Sequence, residues 1–202
     1  MTLRWKVLFI IAATFAVLIA AVYLASRTIL LDGILAMEQS LGRRDVERCT
    51  AFIRQELAHM DRLANDYASW NDTYEYVADP AGHREYIRAN MIDTTFENLK
   101  LNLLIIVDRE GRIVFGRGYD LREKREMPVP PAIGPHLREG TPLFLAGGAL
   151  DGRFGVILLP AAPLLVAAHP ILRSDESGPA RGTLVMGRYF NAAGSKPHDE
   201  YL

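Results

Sequence analysis

The sequence predicts an α+β protein in which one N-terminal transmembrane helix runs into a long amphipathic helix, followed by a domain with an antiparallel sheet. Three observations support this. Residues 7–25 are an unbroken apolar run without charge, proline or glycine. From Arg27 to about Asn71, apolar residues recur every three or four positions, the period of a helix. After Leu101 the pattern changes to short β-branched runs separated by Gly, Pro and Asp turns.

Residues 7–26 are predicted to be a transmembrane helix, because about 20 apolar residues cross a hydrocarbon core of ~30 Å. Arg4 and Lys6 precede the run, so the positive-inside rule makes residues 1–6 a cytoplasmic stub and places the rest outside. The alternative is a cleaved secretory signal. Signal cores are usually ~7–15 residues long and end at a small-residue site, whereas this run is longer and residues 23–27 fit cleavage poorly. Both readings export the domain.

Composition restricts the partners and the compartment. The net charge of −1 gives no electrostatic support for binding nucleic acid, so none is expected. The single cysteine, Cys49, cannot form an internal disulfide. An exported domain without disulfides fits a bacterial envelope, so we expect an inner-membrane anchor and a periplasmic domain. Cys49 lies in a helical pattern and is predicted to be a buried small hydrophobe; a disulfide across a dimer is the alternative.

Residues 27–53 are predicted to form a membrane-proximal helix that continues into the domain. Its apolar stripe comprises Leu31, Leu35, Leu41, Val46, Cys49, Ile53, Leu57, Met60, Ala64 and Tyr67. The stripe can pack on its own domain, or it can form a dimer seam that carries motion to the membrane. Both fit, because a helix of ~40 residues is longer than a small domain. We therefore expect a homodimer through the long helix.

The remaining pattern predicts helices followed by strands, the order of an α+β domain. A second helix is expected over residues 83–98 and a hairpin over 103–107 and 112–116. A proline-rich loop covers 119–142, with a short helix near 133–138. Later strands are predicted at 143–146, 154–159, 164–172 and 182–190.

The sequence contains no recognisable catalytic motif. Nucleophile elbows, zinc-protease motifs, P-loops and dinucleotide fingerprints are absent, and the five histidines are scattered without helical partners. We therefore predict no catalytic residues, no metal ligands, no cofactor and no enzymatic activity. A hydrolase with an unrecognised site ranks last among the possible functions.

The densest unusual segment is residues 66–77, in which aromatic rings lie among short polar side chains. Aromatic walls with a few polar groups are typical of a small-ligand pocket. The structural alternative is that Tyr67, Trp70 and Tyr74, spaced i, i+3 and i+7, cover one helix face against the sheet. The Asn–Asp pair at 71–72 would then be a hydrogen-bonding hub or a helix stop.

This segment, D-Y-A-S-W-N-D-T-Y, resembles the fourth type of CHASE domain, the cyclase/histidine-kinase-associated sensory extracellular domains. The family pattern has Asp where this chain has Asn71. Further matches run through most of the exported region, at residues 86–90, Asn102, 107–111 and 178–189.

The resemblance implies that residues 54–190 form a periplasmic PAS-like sensor domain. Such domains usually lie between two membrane helices and control a diguanylate cyclase, a cyclic-di-GMP phosphodiesterase or a histidine kinase. Residues 191–202 form a polar tail that cannot span a bilayer. We expect either the front of a longer receptor or an anchored sensor acting by itself. The resemblance implies no particular ligand.

The leading hypothesis is thus a signal-sensing module that responds to an unidentified small molecule. The candidate ligand-binding residues are Tyr67, Trp70, Asn71, Asp72, Tyr74, Asn102 and Arg188. Arg188 can grip a carboxylate with two hydrogen bonds, or it can pair with Asp72 or another acid to hold the sheet to the helix. The alternative function is a membrane-anchored interaction protein that docks on an envelope partner, which an exposed apolar patch within residues 154–172 would favour.

Overall fold

The computed structural model describes residues 3–145, 151–175 and 177–190, except for the side chains at 3, 28–43 and 45. It therefore leaves out the predicted tail at 191–202. The chain divides into two units, residues 1–53 and 54–202. Helix α1 (Leu3–Ala68) begins in the first unit and ends in the second.

The start of α1 has the properties of a membrane span. Arg4–Arg27 has a mean hydropathy of 2.8, and none of its most apolar stretch is buried by protein. By length and composition this segment can cross a membrane. The predicted N-terminal apolar helix that runs into a long helix is thereby confirmed, and α1 ends three residues before the predicted limit at Asn71.

In the last part of α1, burial follows the helical period. Leu57, Met60, Ala64 and Ala68 are buried and are spaced three or four residues apart. The prediction that Cys49 is buried is wrong, because the thiol is exposed. Among the α1 side chains that the structure describes, Leu57 is the first that is buried.

Three short helices connect α1 to the sheet: α2 Asn71–Ala78, α3 Arg84–Asn90 and α4 Asp93–Leu99. The prediction of one helix over 83–98 is wrong, because the chain leaves helical geometry at Met91 and Ile92. Ile92 is extended, with φ −94° and ψ 166°. The Met91 carbonyl accepts a 2.6 Å hydrogen bond from Arg117 Nη1 on the sheet. A distant partner thus binds the backbone at the break, and the helical pattern does not indicate it.

The described strands form one antiparallel sheet in the order β3-β2-β1-β6-β5-β4. Their bounds are β1 Leu103–Asp108, β2 Ile113–Asp120, β3 Arg125–Met127, β4 Arg153–Leu158, β5 Pro163–Pro170 and β6 Gly182–Tyr189. Strands β1 and β2 are the predicted hairpin, and β4, β5 and β6 form a meander. Strand β6 joins the two by pairing with β1, with Leu103 opposite Gly187. The predicted α+β fold with an antiparallel sheet is confirmed.

The two faces of the sheet are covered by different elements. On one face, alternate β1 residues such as Ile105 pack with Ile133 and Leu137 of a 3₁₀ helix (Pro131–Leu137). This is the short helix predicted near 133–138. The other face carries Arg188 of β6, which contacts α1. A helix that packs on one face of the sheet can respond to changes within that sheet.

Two other predictions about the loops are wrong. Part of the predicted loop at 119–142 is strand, because β2 continues to Asp120 and β3 pairs back onto it. The Asp120 carboxylate accepts backbone hydrogen bonds from Arg122 and Glu123, which forms the tight turn between the two strands. Residues 143–145 are not a strand: Leu143 and Leu145 are buried, and Leu145 N donates a 2.9 Å hydrogen bond to the Thr183 hydroxyl. The fourth residue of that predicted strand, at 146, lies outside the described part.

Asp108 organises the β1–β2 turn. Its Oδ1 accepts hydrogen bonds from the backbone N–H groups of Glu110 and Arg112, and its Oδ2 accepts one of 2.7 Å from Arg112 Nε. Gly111 has a φ of +77°, which favours glycine. Burial alone would raise the pKa of Asp108. The hydrogen bonds from the Arg112 backbone and side chain outweigh burial, so the pKa lies below its ordinary value.

The depressed pKa of Asp108 predicts an acid-sensitive contribution to stability. The carboxylate stabilises the folded domain above the unfolded-state pKa of about 3.9, and this stabilisation is lost as pH falls through the lower folded-state pKa. Asp108→Asn should lower the urea midpoint at pH 6, and the difference from wild type should shrink between about pH 4 and pH 2. A difference that stays constant over this range would contradict the assignment.

Candidate functional site

Trp70 interrupts the helical region between α1 and α2. It is extended, with φ −78° and ψ 137°, and α2 begins at the next residue. The Tyr67 ring stacks on Trp70 with centroids 4.3 Å apart and an angle of 25° between the planes. Burial, with a further effect from the Asp66 carboxylate, raises the pKa of Tyr67. The predicted i, i+3, i+7 arrangement on one helix face does not form, because α1 ends at Ala68.

Tyr74 lies in α2 and is held by two arginines from the loop between β5 and β6, here called the closing loop (residues 171–181). The tyrosine is 3% exposed. The guanidinium carbons of Arg181 and Arg173 lie 4.0 Å and 5.1 Å from the ring centroid, within the range of cation–π contact. Arg181 Nη1 also donates to the Tyr74 carbonyl at 3.3 Å, and the Tyr74 hydroxyl donates to the Pro179 carbonyl at 3.3 Å.

Backbone and side-chain hydrogen bonds join the closing loop to the α1–α2 junction. Asn71 Oδ1 accepts a 3.1 Å bond from Ser174 N, and the Ser174 hydroxyl donates to the Ser69 carbonyl at 2.9 Å. Leu172 N donates to the Ala68 carbonyl at 3.2 Å. Three hydrogen bonds therefore join the junction to the closing loop, and the loop leads directly into β6.

The hydroxyl groups of Thr73 and Tyr86 form a buried hydrogen-bond network next to the α1–α2 junction. Thr73 has no exposed surface, and its hydroxyl donates to the Tyr67 carbonyl at 2.7 Å. The Tyr86 hydroxyl lies 2.6 Å from the same Thr73 oxygen and is the donor to it. Burial raises the pKa of Tyr86 far above its ordinary value. Asp72, the neighbour of Thr73, is exposed.

Asn102 and Arg188 lie near the other end of β6 and do not join the Trp70 segment. Asn102 precedes β1, where its Oδ1 accepts a 3.0 Å bond from Tyr189 N and its Nδ2 donates to the Tyr119 carbonyl at 2.9 Å. It therefore ties β6 to β2 across the start of β1. Both polar groups of its side chain bond to backbone.

Arg188 forms what we call the α1 clamp. Its Nε donates to the Lys100 carbonyl at 2.6 Å, and its Nη2 donates to the Leu99 carbonyl at 2.8 Å. Its Nη1 pairs with the Glu56 carboxylate of α1. The Arg188 and Glu56 side chains are 13% and 25% exposed. Arg188 thus binds α1 and the C-terminal end of α4 at the same time; its acidic partner is Glu56, and Asp72 lies elsewhere.

A second polar contact connects α1 to the sheet. His169 of β5 lies with its Nε2 2.7 Å from Asp61 Oδ1, and the imidazole side chain is 9% exposed. Gly152 makes space for the ring, because a Cβ there would lie 2.1 Å from imidazole atoms. The two acids on α1 that make these contacts, Glu56 and Asp61, are five residues apart.

The structure brings Tyr67, Trp70, Asn71 and Tyr74 together. Sequence reasoning missed their partners Arg173 and Ser174. The family resemblance included Arg181, although its contact with Tyr74 was not foreseen. Glu56 had no signal in the sequence, because its partner lies 132 residues away. Among the described residues, no group of three or more His, Cys, Asp or Glu side chains could hold a metal ion.

These contacts define a domain in which the end of a long helix, whose start can cross a membrane by length and composition, is fastened to an antiparallel sheet. Residues 52–196 match the model of the CHASE4 domain, and the chain belongs to this family. The resemblance seen in the sequence is therefore confirmed. The chain carries an extracytoplasmic sensor domain of the receptor type, and the family supports a domain without catalytic activity of its own.

One curated relative is the methanogenesis regulatory histidine kinase FilI of Methanothrix harundinacea (strain 6Ac). It is 28% identical over 157 residues, which are 78% of this chain and 17% of the relative. The chain thus spans less than a fifth of that protein. The similarity therefore concerns one part of a much longer kinase.

Two solved structures share the fold. One is the sensor domain of the V. cholerae histidine kinase DctB, with a TM-score of 0.52 and 11% identity over 74% of this chain and 55% of that one. The other is a domain of a Vibrio parahaemolyticus protein described as sensory box/GGDEF family, with a TM-score of 0.50 and 16% identity over 73% and 59%. At these identities the likeness concerns the fold alone, which is that of PAS-like sensor domains.

Proposed function

We propose that this chain is the signal-sensing module of a transmembrane receptor whose output is a histidine kinase, a diguanylate cyclase or a cyclic-di-GMP phosphodiesterase. The main observation behind this proposal is that one helix, α1, contains both the candidate membrane span and Glu56, the acidic residue of the α1 clamp. The name of the relative FilI favours a histidine kinase among these outputs. The domain itself has no catalytic role in this proposal.

The α1 clamp offers a physical route for the signal. Arg188 holds both Glu56 of α1 and the backbone carbonyls of residues 99–100, so a shift of α4 or β6 changes the force on α1. A ligand drives such a shift only if it binds one of the two packings more tightly than the other. We place the signal input at the junction, where Asn71 and Asp72 are exposed beside the Tyr67–Trp70 stack.

A hybrid receptor tests this function. Residues 1–190 are joined to the second membrane helix and kinase of a receptor with a measurable output, and kinase activity is compared with a hybrid that lacks 54–190. We expect the domain to set the basal activity, and Glu56→Ala to change it in the folded hybrid. Equal activity with and without the domain would overturn the proposal. Trp70→Ala tests the input: an unchanged response in a folded receptor would remove Trp70 from sensing.

We further propose that the domain lies in the periplasm and that the anchor spans a bacterial inner membrane. Cys49 provides the test, because it is the single cysteine and is exposed. A membrane-impermeant maleimide should label Cys49 in cells with a permeabilised outer membrane and an intact inner membrane. Labelling only after lysis of the inner membrane would contradict the placement. Cys49→Ser is the control for specificity.

We propose a homodimer through α1 as the working state. Val46 and Phe52 are 67% and 54% exposed on α1 and lie beside Cys49 in the sequence, so a second helix would bury apolar surface there. Mild oxidation of membranes should give a covalent dimer on non-reducing gels through Cys49. Val46→Glu should reduce the yield several-fold. A monomeric band under all conditions would argue against a seam at this position.

A second candidate function has one specific observation in its favour. Phe154, Val156 and Leu158 of β4 are 54%, 47% and 81% exposed, within the region where the sequence suggested an apolar patch. Such a patch supports an anchored protein that docks on an envelope partner. The hybrid receptor distinguishes the two functions, because a docking protein without sensory output would leave kinase activity unchanged.

A further inference from the structure

The described sheet has two edges of very different character. At one edge, β3 is only three residues long and contains Arg125 and Glu126. At the other edge, β4 is six residues long and pairs with β5 without any irregularity in register. Short, charged edge strands discourage pairing with another chain, and long apolar ones permit it. The β4 edge has no such protection: it contains no proline and no lysine, and Arg153 is its one charge.

A groove of about 650 Å³ runs along β4. Its apolar lining includes Leu143, Ile157 and Val166, and its polar side chains are His136 and Arg153. In an edge strand such as β4, the N–H and C=O groups of alternate residues point away from the sheet and have no strand partner. These backbone groups therefore lie beside the apolar groove. This combination is the one used in strand addition, where main-chain hydrogen bonds give affinity and pockets for alternate side chains give specificity.

The charge of Arg153 distinguishes two possible partners for the outer edge of β4, namely a second copy of this chain and a segment of a different protein. No ion pair among the described residues involves Arg153, which is exposed at the start of β4. A second copy pairing antiparallel along the whole of β4 would place Arg153 opposite Leu158, and β4 contains no acid to neutralise it. An extended segment with a carboxylate at that end would neutralise Arg153. The cation therefore favours a different chain over a second copy.

We propose that the outer edge of β4 binds an extended segment of a partner protein, with alternating apolar side chains in the groove and an Asp or Glu beside Arg153. The segment adds a seventh strand to the described sheet. This surface lies on the opposite edge strand from β3 and does not include the α1 clamp or the Trp70 segment. The inference goes beyond the proposed signal-sensing function and specifies the docking surface of the second candidate function. Its failure would remove the support for that second candidate and leave the signal-sensing function intact.

The probe is a library of acetylated octapeptides with Val fixed at alternate positions and the other positions randomised. It is selected against the full chain in nanodiscs. We expect enriched peptides to carry Asp or Glu at one end. Their dissociation constants should rise at least tenfold for Arg153→Glu, and replacing the acid by Lys should restore binding to this variant. Arg125→Glu on β3 is the matched control and should leave binding unchanged.

Backbone methylation tests strand addition without altering the protein. N-methyl groups on alternate residues of the best peptide should abolish binding in one register and leave it nearly unchanged in the other, because only one edge of the peptide faces β4. Three outcomes would overturn the proposal: no enriched peptide, equal binding by wild type and Arg153→Glu, or self-association of the chain that Val156→Lys removes. The last would assign the edge to a second copy.

Discussion

Arg188→Ala is expected to lower the free energy of unfolding of the sensor domain by about 3 kcal/mol. The substitution removes two hydrogen bonds to backbone carbonyls and leaves the Glu56 carboxylate, 25% exposed, without its cation. Removing one partner of a largely buried ion pair costs about 3–5 kcal/mol, and the remaining exposure of Glu56 places the effect at the low end. The midpoint of thermal unfolding should fall by about 6–12 °C.

Urea unfolding of the full chain in nanodiscs, followed by tryptophan fluorescence, measures this effect. Arg122→Ala is the matched control, because Arg122 is exposed and its pair with Glu123 is 3.7 Å long. That change should cost less than about 0.5 kcal/mol. A double-mutant cycle between Arg188→Ala and Glu56→Ala should give a coupling free energy of about 1 kcal/mol or more. Additive effects would show that the clamp contributes no specific interaction.

The clamp also predicts a separable effect on signalling. Glu56→Gln keeps a hydrogen-bond acceptor for Arg188 but removes the charge, so the domain should remain folded while α1 is held less firmly. In the hybrid receptor this variant should shift basal output without lowering protein abundance. Unchanged output in a folded Glu56→Gln hybrid would leave the clamp with a structural role only.

Gly182→Ala is expected to be the most damaging of the small substitutions. A Cβ at Gly182 would lie 2.1 Å from the Val107 carbonyl oxygen and 3.2 Å from Val77 Cγ1. The first contact is with backbone, which cannot rotate away, and Gly182 is paired with Asp108 in the ladder that joins the hairpin to the meander. Overpacking usually costs about 1–3 kcal/mol, and a clash with a central strand should reach at least the upper value.

Gly155→Ala is the matched control in the same sheet. Gly155 also lies in a strand, but a Cβ there would meet no atom within 4 Å. Alanine at this position should leave the urea midpoint unchanged or raise it slightly, because the unfolded chain loses freedom. Comparable losses in the two variants would mean that strand propensity, not space at Gly182, determines the result.

The sequence predicted the sheet well where local pattern coincides with tertiary environment. Residues 103–107 are apolar and rich in β-branched side chains, and strand β1 is buried on both faces in the centre of the sheet. Residues 143–145 are also apolar, and Leu143 and Leu145 are buried, yet the segment is not a strand; the Leu145 N–H donates to the Thr183 hydroxyl and not to a strand partner. An apolar run indicates burial, and only the available hydrogen-bond partner decides whether it forms a strand.

Among the candidate site residues, the sequence likewise grouped those that are neighbours in the chain and could not place the others. Residues 67–74 are contiguous, so their grouping could be read from the sequence, and four of the five candidates there share contacts or hydrogen-bond to the same closing loop. Asn102 and Arg188 could not be placed by pattern. Their partners are the backbone of residues 99–100, 119 and 189 and the carboxylate of Glu56, all of which are distant in the sequence from at least one of the two side chains.

The sequence by itself determined that the start of α1 is apolar and long enough to cross a membrane, that the fold is of the α+β class, and that the chain belongs to a sensory family. These properties depend on composition, period and short contiguous motifs, which are local. Only the tertiary structure decided that Arg188 holds Glu56, that Trp70 breaks the helix, and that β4 is an open edge. The Arg188–Glu56 pair and the edge position of β4 depend on which distant segments pair in the sheet, and the break at Trp70 lies at a residue that the helical period does not mark. The register of β6 against β1 and β5 sets those neighbours, and no local pattern encodes that register.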